Sequence, residues 1–184
     1  MPFKKIQYAD DGVTPVKRLV EMRVPSLMVG LVLGIVLSFI TSRFENVLSE
    51  NIKVAFFIPF IVYMADAVGT QTQNIYTRNL RIGKASFKTY LVKETLLGVI
   101  LGLISGAVAF LAIVFLFGSF ELALAVSLGA LAAVLSAPLI ALLVTEAMEL
   151  ERTDPAVGAG PIATVIQDTV SVVIYGLIAT AIIL

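Results

Sequence analysis

The sequence predicts an all-α integral membrane protein with five transmembrane helices per subunit. Three observations lead there. Of the 184 residues, 59% are hydrophobic and 14% charged, whereas a soluble domain carries about 25% charged residues. Mean hydropathy is +1.00, more apolar surface than a soluble core of this size can hide, so lipid is the expected solvent. The apolar residues also gather into five stretches, each supplying the roughly 20 residues that cross a bilayer at about 1.5 Å apiece.

Residues 1–23 read as a cytoplasmic N-terminal segment. Met1 to Gly12 has charges but no short apolar run of the secretory kind. Lys17 to Arg23 is a candidate amphipathic approach helix at the membrane surface. The transmembrane domain is expected over 24–184. Pro25 opens span 1 (24–42) at a position where its missing N–H is harmless. Span 2 covers 53–79, with Pro59 near its start. Span 3 (90–117) carries Gly98, Gly102 and Gly106 at four-residue spacing, a pattern that lets helices pack closely. Span 4 (121–148) contains Pro138, which predicts a kink. Span 5 covers 160–184. Short connections make successive spans antiparallel neighbours.

Lysines and arginines number 11 on the face shared by the N-terminus and the connection after span 2, and 2 on the other. The N-terminus is therefore expected in the cytoplasm and the C-terminus outside, in a multi-pass cell-membrane protein. The connection before span 5 adds Glu146, Glu149, Glu151 and Asp154, read as a solvated acidic loop. Glu94 and Glu121, near span ends, read as headgroup anchors. The chain has no cysteine and no histidine, which removes disulfides, thiolate sites, imidazole zinc sites and Ser-His triads. A net charge of zero gives no reason to expect nucleic acid.

Polarity inside the spans is concentrated in two of them. In span 5, Thr164, Asp168, Ser171 and Tyr175 recur at i, i+4, i+7 and i+11, so they share a helical face. In span 2, Asp66, Thr70, Gln73 and Thr77 repeat the spacing, flanked by Gly69, Gln71 and Asn74. Counted from the cytoplasmic ends of their spans, Asp168 lies about 12 Å deep and Asp66 about 19 Å. The two acids are thus within a turn or so of one height. An aspartate near a helix centre costs about 2.5–3.5 kcal/mol on insertion scales, so two of them on polar stripes read as walls of a hydrated path. An acid protonated and hydrogen-bonded between helices, or a step in a proton relay, would fit the same residues.

Neither stripe holds a basic side chain, so the path favours cations. Its ligands are carboxylate, hydroxyl, amide and carbonyl oxygens, a hard set suited to Mg²⁺, Ca²⁺ or Mn²⁺. Mg²⁺ keeps several waters, which suits a site of few protein oxygens. One Asp168 cannot neutralise a divalent ion, but a twofold homodimer would bring two copies to its axis.

With those residues in place, the chain resembles the transmembrane domain of MgtE-type magnesium transporters and the related animal solute-carrier magnesium transporters. The likeness rests on R-V-P at the start of span 1, on T-D-P-A and G-P-I-A-T-V-I-Q-D in span 5, and on A-D-A-V-G-T-Q at 65–71. That last run keeps Gly69 and Gln71 of the bacterial glycine- and asparagine-rich pattern, while Ala65-Asp66-Ala67 replaces its small neutral residues. The animal members' P-x-A-x-x-x-x-D is matched by Pro161, Ala163 and Asp168. The resemblance implies a homodimer in lipid with its pore at the dimer interface, between spans 2 and 5 of both subunits. It implies Asp168 as the main cation-site residue and Mg²⁺ as cargo, with Mn²⁺ or Co²⁺ as other candidates; Asp66 is expected as a second metal residue from the spacing and depth of its stripe, where the family has small neutral residues. Bacterial members carry nucleotide-binding regulatory modules before span 1. Only about 23 residues precede it here, so those modules are expected to be absent from this chain.

The closest rival is a proton- or sodium-coupled divalent cation exchanger. A structural membrane subunit is the bland alternative. An intramembrane aspartyl protease would need Y-D and G-x-G-D, and the contexts here are M-A-D and I-Q-D, so no enzyme is expected.

Overall fold

The computed structural model describes residue 6 and residues 8–184, and every regular element among them is an α-helix. Lys4 and Lys5, counted above toward the basic face, lie outside the described residues. The helices are α1 (Val16–Ser42), α2 (Glu45–Glu50), α3 (Lys53–Phe56), α4 (Ile58–Arg81), α5 (Phe87–Phe117), α6 (Phe120–Leu150) and α7 (Pro155–Ile183). Five segments are long and apolar enough to span a membrane: α1, α3 with α4, α5, α6 and α7.

The first helix departs from expectation. Instead of a separate surface helix followed by a span opening at Pro25, α1 is continuous from Val16, and Pro25 lies inside it. Proline removes the hydrogen bond to the carbonyl four residues earlier and crowds that carbonyl. Here that carbonyl belongs to Glu21, in an exposed, charged turn where water can take over. The connection from α1 to α4 is not a plain loop either. It folds into α2 and α3, whose Val47 and Val54 are buried in the core.

Turn chemistry sets the antiparallel hairpin of α5 and α6. Gly118 ends α5 in the left-handed region (φ 63°), and the Ser119 side chain then caps α6 by accepting from the Leu122 N–H at 3.3 Å. The predicted glycine stripe is the contact itself. A Cβ on Gly98, Gly102 or Gly106 would lie 3.0, 2.8 and 2.9 Å from the carbonyl oxygens of Leu135, Leu131 and Ser127 respectively. Small side chains on both helices allow this approach where lipid gives no hydrophobic push.

Helix α6 is the hub, packed against α4, α5 and α7. Its alanines at 123, 125, 130, 133 and 137 are fully enclosed. The main packing of α1 is against α7. Pro161 inside α7 leaves the Val157 carbonyl without its helical donor, and the Ser26 hydroxyl of α1 lies 3.4 Å from it, with the Arg23 carbonyl as a nearer acceptor at 3.0 Å.

Candidate functional site

The site is built where α4 and α7 meet on α6. At one end of the bundle, Arg81 in the last turn of α4 donates to Asp154 at 3.0 Å. Asp154 is buried and caps α7, accepting from the Ala156 N–H at 3.1 Å, and it also accepts from the Ala9 N–H at 2.9 Å. The Arg81 guanidinium stacks on the Tyr8 ring at 4.8 Å. The end of α4 and the start of α7 are therefore level.

From that level the two acids run to similar depth. Asp66 precedes Arg81 by 15 residues and Asp168 follows Asp154 by 14, each about 21 to 23 Å along its helix. The sequence depths of 12 and 19 Å differed because α7 starts earlier than hydropathy alone shows.

The stripe on α4 meets α7 in a small crevice. Asp66, Gly69, Thr70 and Gln73 line it from α4, and Ala163, Thr164 and Gln167 from α7, with Ala137, Ile140 and Ala141 of α6 as its floor. Its volume is about 10 Å³, room for one water-sized guest. Thr77, the last member of the stripe, is buried and its hydroxyl has no partner. Thr70, Gln71 and Asn74 are exposed on the outer surface of the chain, at the middle of a membrane span.

The stripe on α7 is divided. Ser171 is fully buried and accepts from Gln167 Nε2 at 2.9 Å. Tyr175 is buried too, its hydroxyl donating to the Val54 carbonyl at 2.9 Å. Both point into their own subunit. Asp168 stands at the edge of that face, about 60° around the helix from Ser171 at 100° per residue. It is half-buried, with Oδ1 enclosed and unpartnered. Thr164 and Ala163 line the crevice, whereas Pro161 lies toward the Arg81–Asp154 end.

Three polar residues were missed or misplaced by sequence reasoning. Gln167 is 3% exposed and ties α7 to α6, its Nε2 donating to the Ala133 carbonyl and to Ser136 Oγ at 3.2 Å each. Its spacing of four from Ser171 was the available signal. Glu94, expected as a headgroup anchor, is instead buried and accepts from Thr72 at 2.7 Å. Glu146, expected in a solvated loop, accepts from the Tyr76 hydroxyl at 2.5 Å. Asn79 is bonded to the Tyr90 hydroxyl. Helix α4 thus carries a second polar row, Thr72, Tyr76 and Asn79, about 120° around the helix from the first at 100° per residue and hydrogen-bonded within the chain. The described residues hold no cluster of three or more acidic, histidine or cysteine side chains arranged for a metal.

Comparison of the sequence with known proteins finds a family match. The MgtE family model, described as a divalent cation transporter, matches residues 58–178. The magnesium transporter MgtE of Enterococcus faecalis (strain ATCC 700802 / V583) is 29% identical over 161 residues, which cover 86% of this chain and 36% of that protein. The magnesium transporter MgtE of Bacillus subtilis (strain 168) is 25% identical over 162 residues, again 86% and 36%. The chain spans about a third of the length of the curated relatives it matches.

Proposed function

The chain belongs to the MgtE family of divalent cation transporters, and from that premise we propose that it carries Mg²⁺ across the cell membrane as a twofold homodimer. The family is one of membrane transporters and not of enzymes. The cation path runs along the dimer axis between α4 and α7 of both copies. Asp168 is the main cation-site residue, and Asp66 adds a second carboxylate at the same depth.

One observation carries this reading. Thr70, Gln71 and Asn74 are exposed on the face of a membrane span, where lipid cannot satisfy their hydrogen bonds. A second α4 related by twofold symmetry, with water between, would satisfy them. The same operation brings the second Asp168 that a divalent ion needs for charge balance. A partly hydrated ion suits this chemistry, because hydroxyl and amide groups can hold the waters that Mg²⁺ gives up reluctantly. Gly69 and Thr77 lie on the inner side of the α4 wall, and Ser171 and Tyr175 brace the α7 wall from within. The basic end, with Arg81 and Asp154, faces the cytoplasm.

The test is Mg²⁺ uptake into liposomes holding the purified protein, read with an internal indicator. Uptake above protein-free liposomes, with a current that persists at fixed Mg²⁺ gradient when no Na⁺ or proton gradient is present, is the expected result. Uptake that requires a counter-ion gradient would make it an exchanger, and absence of uptake would overturn the reading. Parallel runs with Mn²⁺ and Co²⁺ rank the cargo.

A further inference from the structure

We propose that the groove between the start of α1, the end of α6 and the start of α7 holds one membrane phospholipid, its phosphate at Arg18 and Arg152 and an acyl chain laid along Pro25, Val29 and Ile162. The site lies within one chain and needs neither the cation path nor the dimer proposed above.

The main packing of α1 is against α7, which leaves a gap toward the end of α6. The gap is a groove of about 460 Å³, within the range of about 300–1,000 Å³ for sites that take small molecules. Its length follows the helices. Ser26 lies beside Val157 and Gly30 beside Pro161, so α1 and α7 run parallel. Arg18 lines one end, and Val29 lines the groove 11 residues further along α1, about 16 Å away.

Charge is graded along that length. The end at the α6–α7 connection carries Arg18, Arg152, Glu151 and Asp154, whereas Met22, Pro25, Val29 and Ile162 line the rest. Asp154 is turned to Arg81 and to the N–H groups of Ala9 and Ala156, so the two arginines outweigh the exposed Glu151. Arg18 also pairs with Glu21 at 3.0 Å, and both arginines have further contacts in the chain. A guanidinium has five donors, enough to serve a phosphate as well. A basic end leading into an apolar trough matches the build of a phospholipid, and basic recesses between membrane helices hold lipid head groups. A soluble phosphate would leave the apolar length unused, and a hydrocarbon chain alone would leave the arginines unused.

The backbone at Arg152 points the same way. Helix α6 ends in a turn where the Thr153 N–H bonds the Met148 carbonyl and the Arg152 N–H bonds the Glu149 carbonyl, at 3.0 Å each. Glycine is the usual occupant of the left-handed position in such a turn. Arg152 occupies it with φ 58°, the one non-glycine residue at positive φ among the described residues. A side chain there is strained, so the turn alone would favour glycine and the guanidinium at the groove is what the arginine adds.

The experiment is native mass spectrometry of the purified chain in maltoside detergent, titrated with dioleoyl phosphatidylglycerol. Dioleoylglycerol and glycerol 3-phosphate serve as its apolar and polar halves. Saturable binding of one phospholipid per chain is expected, with neither half bound at the same concentrations. Arg152→Gly relaxes the turn, so it should keep or raise the melting temperature in lipid-free detergent while weakening phospholipid binding about tenfold. Val29→Trp fills the trough without removing either arginine and should also weaken binding. Absence of saturable binding, either half bound as tightly as the phospholipid, or binding undiminished in both variants would overturn the proposal.

Discussion

Arg81 donates to Asp154 at 3.0 Å, joining the last turn of α4 to the cap of α7. The ion pair sets the register of the two helices, and with it the common depth of Asp66 and Asp168. The Asp154 side chain is almost wholly enclosed while Arg81 is 39% exposed, so solvent weakens the pair without abolishing it.

A double-mutant cycle of Arg81→Ala and Asp154→Asn should return a coupling of about 1 kcal/mol in thermal or denaturant unfolding. Asp154→Asn keeps a capping oxygen for α7, so the cycle reports the ion pair more than the cap. Additive single effects would mean that the register is set elsewhere.

The α5–α6 contact predicts an asymmetric response to adding one methyl group. Gly102→Ala drives a Cβ to 2.8 Å from the Leu131 carbonyl and should cost about 1–3 kcal/mol. Gly34→Ala meets nothing within 4 Å and should be neutral or slightly stabilising. Melting temperatures of the two variants in the same detergent make the comparison.

The inner polar row of α4 should behave as structure rather than path. Thr72→Val removes the donor to the buried Glu94 carboxylate, at a cost of about 1–3 kcal/mol in unfolding. Mg²⁺ uptake per folded molecule should stay near the wild-type value. A selective loss of uptake with stability unchanged would place the Thr72–Glu94 pair on the path.

The dimer can be read directly, because the chain has no cysteine. Asn74→Cys on the outer face of α4 should form a disulfide between two copies under mild oxidation in membranes. Leu111→Cys, exposed on α5, should remain monomeric on a non-reducing gel. Cross-linking at Leu111 with none at Asn74 would move the interface to another face.

Much of the architecture was legible because lipid thickness forces it. A membrane helix must hold about 20 apolar residues, so five spans could be counted from composition alone. Their ends were less legible. The first turns of α1 and α7 lie among charged and small residues, where hydropathy is silent, so α1 begins at Val16 and α7 at Pro155, earlier than the apolar runs. Of the candidate site, spacing made the two stripes legible, and the helices that carry Asp66 and Asp168 do adjoin. Spacing could not say which part of a stripe a neighbour covers. Ser171 and Tyr175 share a face with Asp168, yet both are buried, Ser171 accepting from Gln167 of its own helix and Tyr175 donating to the Val54 carbonyl. Nor could it place Glu94 or Glu146, whose hydrogen-bond partners lie on another helix, at Thr72 and Tyr76.

The central claim is that Asp168 holds the transported ion, and its most direct test is Mg²⁺ uptake by Asp168→Asn beside Ser171→Ala in the same liposomes. Both variants should reconstitute as folded dimers, verified by size exclusion and by the Asn74→Cys cross-link. Loss of the charge should reduce uptake by about tenfold or more in Asp168→Asn, while Ser171→Ala, altered only inside the subunit, should retain most of it. Uptake undiminished in a folded Asp168→Asn dimer would contradict the account.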